Sequence, residues 1–116
     1  MTLDAAAGRI HVVFRHPATL TAFDMQSGKK LYSIETCGDS DDVFFDSKRS
    51  RAYVSCGEGF VEVIADRGNN YAEEAKLSTI GGARTSLFVP ELDRYFLAVR
   101  ASGQTPAALW IFKPGP

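Results

Sequence analysis

Apolar and polar residues alternate along this chain in short runs, each stopped by a polar, glycine-bearing or proline-bearing turn, which is the pattern of β-strands. Residues 9–14 (R-I-H-V-V-F) are β-branched and aromatic, and Arg15-His16-Pro17 ends the run because proline has no N–H for a ladder. Residues 20–23 form the next strand. Residues 24–28 make a turn in which Gly28 can take a positive φ, and residues 30–36 alternate again. The following stretch predicts four strands, at 42–45, 51–56, 60–64 and 71–77, with tight turns at 46–50 and 57–59 and a polar loop at 66–70. Residues 72–76 (A-E-E-A-K) taken alone suit a short helix. Strands at 85–89, 94–99 and 107–112 complete the chain, with a loop at 101–106 between the last two.

The runs repeat. Arg9 leads Ile-His-Val, Arg51 leads Ala-Tyr-Val and Arg94 leads Tyr-Phe-Leu, and Leu3, Phe45 and Phe88 stand at one common distance upstream. Gly38 with Val43-Phe44-Phe45 lines up with Gly81 and Ser86-Leu87-Phe88. The spacing, about 42 to 43 residues, is that of four-stranded propeller blades. This register makes 71–77 an outer strand rather than a helix. The fold expected is all-β, a β-propeller segment spanning 1–116, with partial blades at 3–37 and 81–116 around a full one at 38–80. The strand pattern is then 3+4+3, the leading strand of the first repeat being missing. Closed propellers have about four to eight blades, so the ring is incomplete. The chain is expected either to belong with further upstream blades or to self-associate, covering its open blade faces.

Composition narrows the function classes. The formal charge of -1 gives no electrostatic case for nucleic acid or an anionic membrane, so nucleic acid is not an expected partner. No apolar run approaches a membrane span. No signal peptide is visible, since Met1 runs straight into Thr2-Leu3-Asp4. The two cysteines, Cys37 and Cys56, lack the spacing of a zinc or redox motif.

The run Arg51-Ala52-Tyr53-Val54-Ser55 resembles the repeat signature of the YVTN family of bacterial β-propellers. Tyr53 and Val54 match it, while Ser55 and Cys56 stand where Thr and Asn are usual. The resemblance extends over most of the chain and implies a larger, usually exported propeller, hence a periplasmic or secreted location. Members of that family are mostly without a known enzymatic activity, and no cofactor is expected.

In propeller geometry the links between blades share one face with the turns between second and third strands. That face receives Asp39, Asp41 and Asp42 from one link, Arg84 and Thr85 from the next, and Arg15, His16, Glu58 and Arg100 from the turns. Two readings stand side by side. Asp39, Asp41, Asp42, Arg84, Thr85, Arg100, Arg15 and His16 line a ligand-binding surface at the channel mouth, or the aspartates cap backbone N–H groups and pair with the arginines to fix blade registry. Calcium at Asp39-Ser40-Asp41-Asp42 is a lesser option, because the glycine and terminal glutamate of an EF-hand loop are absent. His11 lies inside a strand and His16 has no partnered nucleophile, so no catalytic set and no resident metal is expected. Both cysteines fall near the same rim, which allows a disulfide in an exported protein and free thiols in cytosol. The turns at 47–50 and 91–93, on the opposite face, are expected to be solvated.

A non-enzymatic scaffold that binds a protein or small-molecule ligand on the loop-rich face leads. A metal-dependent hydrolase or lactonase-type propeller enzyme is the alternative. A structural segment with no function alone is the third possibility.

Overall fold

A computed structural model describes residues 1–116. The chain is all-β, with eleven strands and no helix. In order they are β1 (Thr2–Asp4), β2 (Arg9–Arg15), β3 (Ala18–Asp24), β4 (Lys30–Glu35), β5 (Ser40–Asp46), β6 (Arg51–Cys56), β7 (Phe60–Asp66), β8 (Tyr71–Ser78), β9 (Ser86–Val89), β10 (Arg94–Val99) and β11 (Ala108–Phe112). They form three antiparallel sheets, β1–β4, β5–β8 and β9–β11, and no closed barrel. No helix is long and apolar enough to cross a membrane.

The strand pattern is 4+4+3, which corrects the expected 3+4+3. The leading strand of the first sheet is present at Thr2–Asp4 and pairs Leu3 with Ile10. It is only three residues long, too short to show an alternation in sequence. Residues 71–78 are a strand despite their helical propensity, because β7 offers them a full ladder from Asp66–Tyr71 to Phe60–Ser78.

The sheets stack face on face. Alternation along β6 sends Ala52, Val54 and Cys56 toward the first sheet, where they meet Leu20 and Ala22. The intervening Tyr53 joins Phe88, Tyr95 and Leu97 of the third sheet. Covered on both sides, β6 is buried at every position. The terminal sheets are covered on one side only. Leu3 and Phe14 stay exposed on the first, and Leu87, Leu109 and Ile111 on the third.

The turn from first to second strand is built alike in each sheet. Gly8, Ser50 and Asp93 hold the same place before Arg9, Arg51 and Arg94, and all three have positive φ, at 69°, 55° and 52°. The backbone demands a left-handed residue there, and the three copies meet the demand with different side chains.

Cys37, just beyond β4, is joined by a disulfide to Cys56 at the end of β6, so the first sheet is stapled to the second. The cysteines are 19 positions apart. Closing a loop of that order stabilises a fold by about 3 kcal/mol. The Cys37→Ala/Cys56→Ala pair is expected to lose about that much, read from the urea midpoint under non-reducing conditions. An unchanged midpoint would mean that packing alone joins the two sheets.

Candidate functional site

β2 and β6 run toward one end of the stack, and β5 and β9 start there, so the residues singled out on the loops gather at that rim. Arg15, at the end of β2, donates from Nε to the Ser40 carbonyl at 2.9 Å and from Nη2 to Asp41 at 3.0 Å. Its Nη1 lies 3.7 Å from Asp39. Arg84 donates to the other oxygen of Asp39 at 2.7 and 3.0 Å. Asp42 Oδ2 accepts the Ser86 N–H of the third sheet at 2.9 Å. The arginines bracket Asp39 and hold its carboxyl below the usual range, with Arg84 the larger cause.

The rim is thus a chain of charges running across all three sheets. Arg15 belongs to the first, the aspartates lead into the second, and Arg84 leads into the third. Four of the eight expected rim residues, Arg15, Asp39, Asp41 and Arg84, meet one another there, and Asp42 beside them reaches the third sheet at Ser86. Their arrangement is that of fasteners between sheets, since each carboxylate already has a protein donor. Asp39, Asp41 and Asp42 therefore present no common set of free oxygens toward a calcium ion.

The other three differ. His16 is exposed and makes no side-chain hydrogen bond or ion pair. Thr85 and Arg100 line an open cleft of about 590 Å³ with Arg84, Ala98 and Leu109. Arg100 packs over Gly82, whose φ of 89° and missing Cβ leave room for the guanidinium. No carboxylate lines this cleft.

The opposite end holds groups that the sequence did not single out. The 47–50 and 91–93 turns are not simply solvated. Arg49 donates to both oxygens of Asp93 at 2.8 Å and to Asp46 at 2.9 Å, joining the second sheet to the third. Buried Asp46 also accepts from Tyr53 Oη at 2.6 Å. Burial and that carboxylate push the Tyr53 phenol up to about 12.

Between the first and second sheets lies a second buried group. His11 is fully buried, stacked on Phe45 at 4.6 Å, with Nδ1 2.5 Å from Tyr71 Oη. Its Nε2 lies 3.7 Å from Asp66 Oδ2. Burial lowers its pKa against the opposing pull of Asp66 and Asp4. Asp66 Oδ1 accepts from Tyr32 Oη at 2.6 Å and from the Gly68 N–H at 2.9 Å. The separation of His11 from Asp66 and Tyr71 along the chain hides this cluster from any local motif.

Glu62, on β7, is also buried, and Oε1 accepts the Cys37 N–H. The alternation of F-V-E-V-I puts it on the same face as Ile64, which is the one signal that could have found it. Desolvation, then the Glu73 carboxyl, push its pKa up to about 7.

Compared with known proteins, the chain matches no family model and no curated protein.

A glutamate whose pKa is raised in the fold binds its proton more tightly folded than unfolded. Stability linked to Glu62 is therefore full below its ordinary 4.5 and is lost as pH rises through about 7. Glu62→Gln keeps the carbonyl acceptor for Cys37 and removes the charge. The variant is expected to lose less stability than the parent between pH 4.5 and pH 8, measured by urea unfolding across that range. An equal or steeper loss in the variant would show that Glu62 is not the group titrating.

Proposed function

We propose that this chain is a segment of a β-propeller of the YVTN type and serves as a non-enzymatic binding scaffold. Its partner surface is the rim cleft around Arg100, Arg84 and Thr85, and the partner it fits is an acidic peptide segment. One observation carries this reading. Arg100 is exposed and without an ion-pair partner in a cleft lined by two arginines and no carboxylate. A guanidinium presents a planar fork that matches a carboxylate.

Repeat spacing, four-stranded antiparallel sheets and face-on-face stacking support the propeller reading. The resemblance of Arg51-Ala52-Tyr53-Val54-Ser55 supports the family, and through it a bacterial, periplasmic or secreted setting, which the Cys37–Cys56 disulfide suits. The hydrolase alternative needs rim carboxylates free to ligate a metal, and those of Asp39, Asp41 and Asp42 are engaged by arginines and a backbone N–H. The scaffold is therefore preferred.

A fluorescein-labelled hexaglutamate, followed by anisotropy at low salt, tests the cleft. Binding is expected to the parent and to fall at least tenfold in Arg100→Glu with the melting temperature unchanged. Equal binding by a folded Arg100→Glu would overturn the assignment.

The apolar outer faces bear on assembly. Leu3 and Phe14 at one end and Leu87, Leu109 and Ile111 at the other are more than two-fifths exposed. These different surfaces suit a head-to-tail contact, which closes into a ring when the rotation allows. Light scattering over a concentration series is expected to give a discrete multiple of the chain mass, reduced by Leu109→Glu. A monomer at all concentrations would overturn self-association.

A further inference from the structure

At the end of the stack away from the disulfide, three potential ligands converge between the first two sheets. They are Asp4 on β1, His11 on β2 and Asp66 at the end of β7, and their ligating atoms all lie within 4.8 Å of one another. All three residues are buried. Two of the atoms, His11 Nε2 and Asp66 Oδ2, have no hydrogen-bond partner although solvent does not reach them. They face each other at 3.7 Å, beyond hydrogen-bond reach. An orphaned buried polar atom costs about 1–3 kcal/mol, so a facing pair calls for something between them.

The neighbouring repeat shows what the slot looks like when filled by protein. Asp46 and Tyr53 hold the places of Asp4 and His11, and there the phenol reaches the carboxylate at 2.6 Å. Histidine is shorter than tyrosine and leaves that reach unspanned.

We propose that Asp4, His11 and Asp66 form a buried site for a divalent transition metal, with zinc as the ion. The donor set is one imidazole nitrogen and two carboxylates, which zinc accepts, with a water completing four-coordination. Zinc at about 2.0–2.2 Å from each ligand places neighbouring donors a little over 3 Å apart, so a small contraction closes the site. The ligands are already oriented from behind. Tyr71 holds His11 Nδ1, and stacking on Phe45 fixes the ring. Tyr32 and Gly68 hold Asp66 Oδ1 and turn Oδ2 inward. The Ala7 N–H donates to Asp4 Oδ1 at 3.4 Å. Such outer partners are what metal sites require.

One group opposes the ion. Arg9 Nη1 lies 3.6 Å from Asp66 Oδ2. Its Nη2 is tied to the Gly68 carbonyl at 2.9 Å, so a rotation about that anchor withdraws Nη1. Entry is by β1, a three-residue edge strand that carries Asp4 and can fray without unfolding the stack. Enclosed between sheets, the metal joins the first sheet to the second at one end as the disulfide does at the other. Its role is structural.

The full chain is stripped with chelator under mild denaturant, then refolded with and without zinc chloride. Bound metal is counted by mass spectrometry of the desalted protein, and cobalt(II) is used as a visible probe of coordination. The expected result is one zinc per chain, a raised melting temperature and a cobalt spectrum of low coordination number. Asp4→Asn and His11→Gln preserve side-chain volume, and each is expected to weaken zinc at least tenfold, while His16→Ala, which removes the exposed histidine, changes nothing. The Asp4 variant decides the matter if the His11 variant fails to fold. No retained zinc, zinc retained equally by a folded Asp4→Asn, or zinc lost with His16→Ala would each overturn the site.

Discussion

The strand β6 of the central sheet is covered on both sides and has no position at which a side chain reaches solvent freely. A strand of this kind needs a packed neighbour on each face. The rest of the structure follows from that requirement. The first sheet supplies Leu20 and Ala22 to one side, and the third supplies Phe88, Tyr95 and Leu97 to the other. Each terminal sheet inherits the same problem on its far side, where apolar residues stay exposed. The unit that buries one face always presents another, which is the physical meaning of a repeat array.

Apolar stacking does not fix how one sheet is rotated on the next, and the charges do. At the rim, Asp39 and Arg84 are each more than a third exposed. Exposed pairs of that kind contribute about 0–1 kcal/mol. Their effect is on registry, because Asp39 is reached by Arg15 from the first sheet and by Arg84 from the link to the third, and both meet it in this alignment. At the other end Arg49 and Asp46 are largely buried. Removing one partner there leaves a charge unpaired away from water, so those pairs bind the alignment more tightly.

The organisation of the fold was legible in the sequence because the repeat is strict where the backbone needs it. Arg9, Arg51 and Arg94 follow left-handed residues in every sheet, and that register overruled the helical propensity of residues 72–76. It failed at β1, where three residues leave no alternation to read. The rim residues were found because turns carry their polar residues openly. That the aspartates pair with arginines and cap a backbone N–H was one of the two readings, but which arginine meets which aspartate was not legible, since Asp39 and Arg84 meet only across two sheets. His11 was visible as a histidine inside a strand, but its partners come from β7 and β8, far along the chain. Glu62 lay hidden in a run that reads as an ordinary alternating strand.

The three copies of one position show how the stack can vary its chemistry without changing its form. His11, Tyr53 and Phe96 stand at the same distance after the repeat arginine. His11 and Tyr53 point toward the following sheet, and Phe96 points the same way from the last one. Tyr53 closes on Asp46 and so seals the contact between the second and third sheets. Phe96 lies on the uncovered side of the third sheet, where Val89 replaces the aspartate, and an apolar pair there suits a contact that water still reaches. His11 is the copy that neither seals with its own repeat nor turns apolar. It sits fully buried with an orphaned nitrogen, at the one interface that already has a covalent link. Burial of an unpartnered ring nitrogen at a position where tyrosine or phenylalanine serves elsewhere is a cost that stacking on Phe45 does not itself require. Retaining an imidazole there makes physical sense when the nitrogen has a ligand of its own to hold.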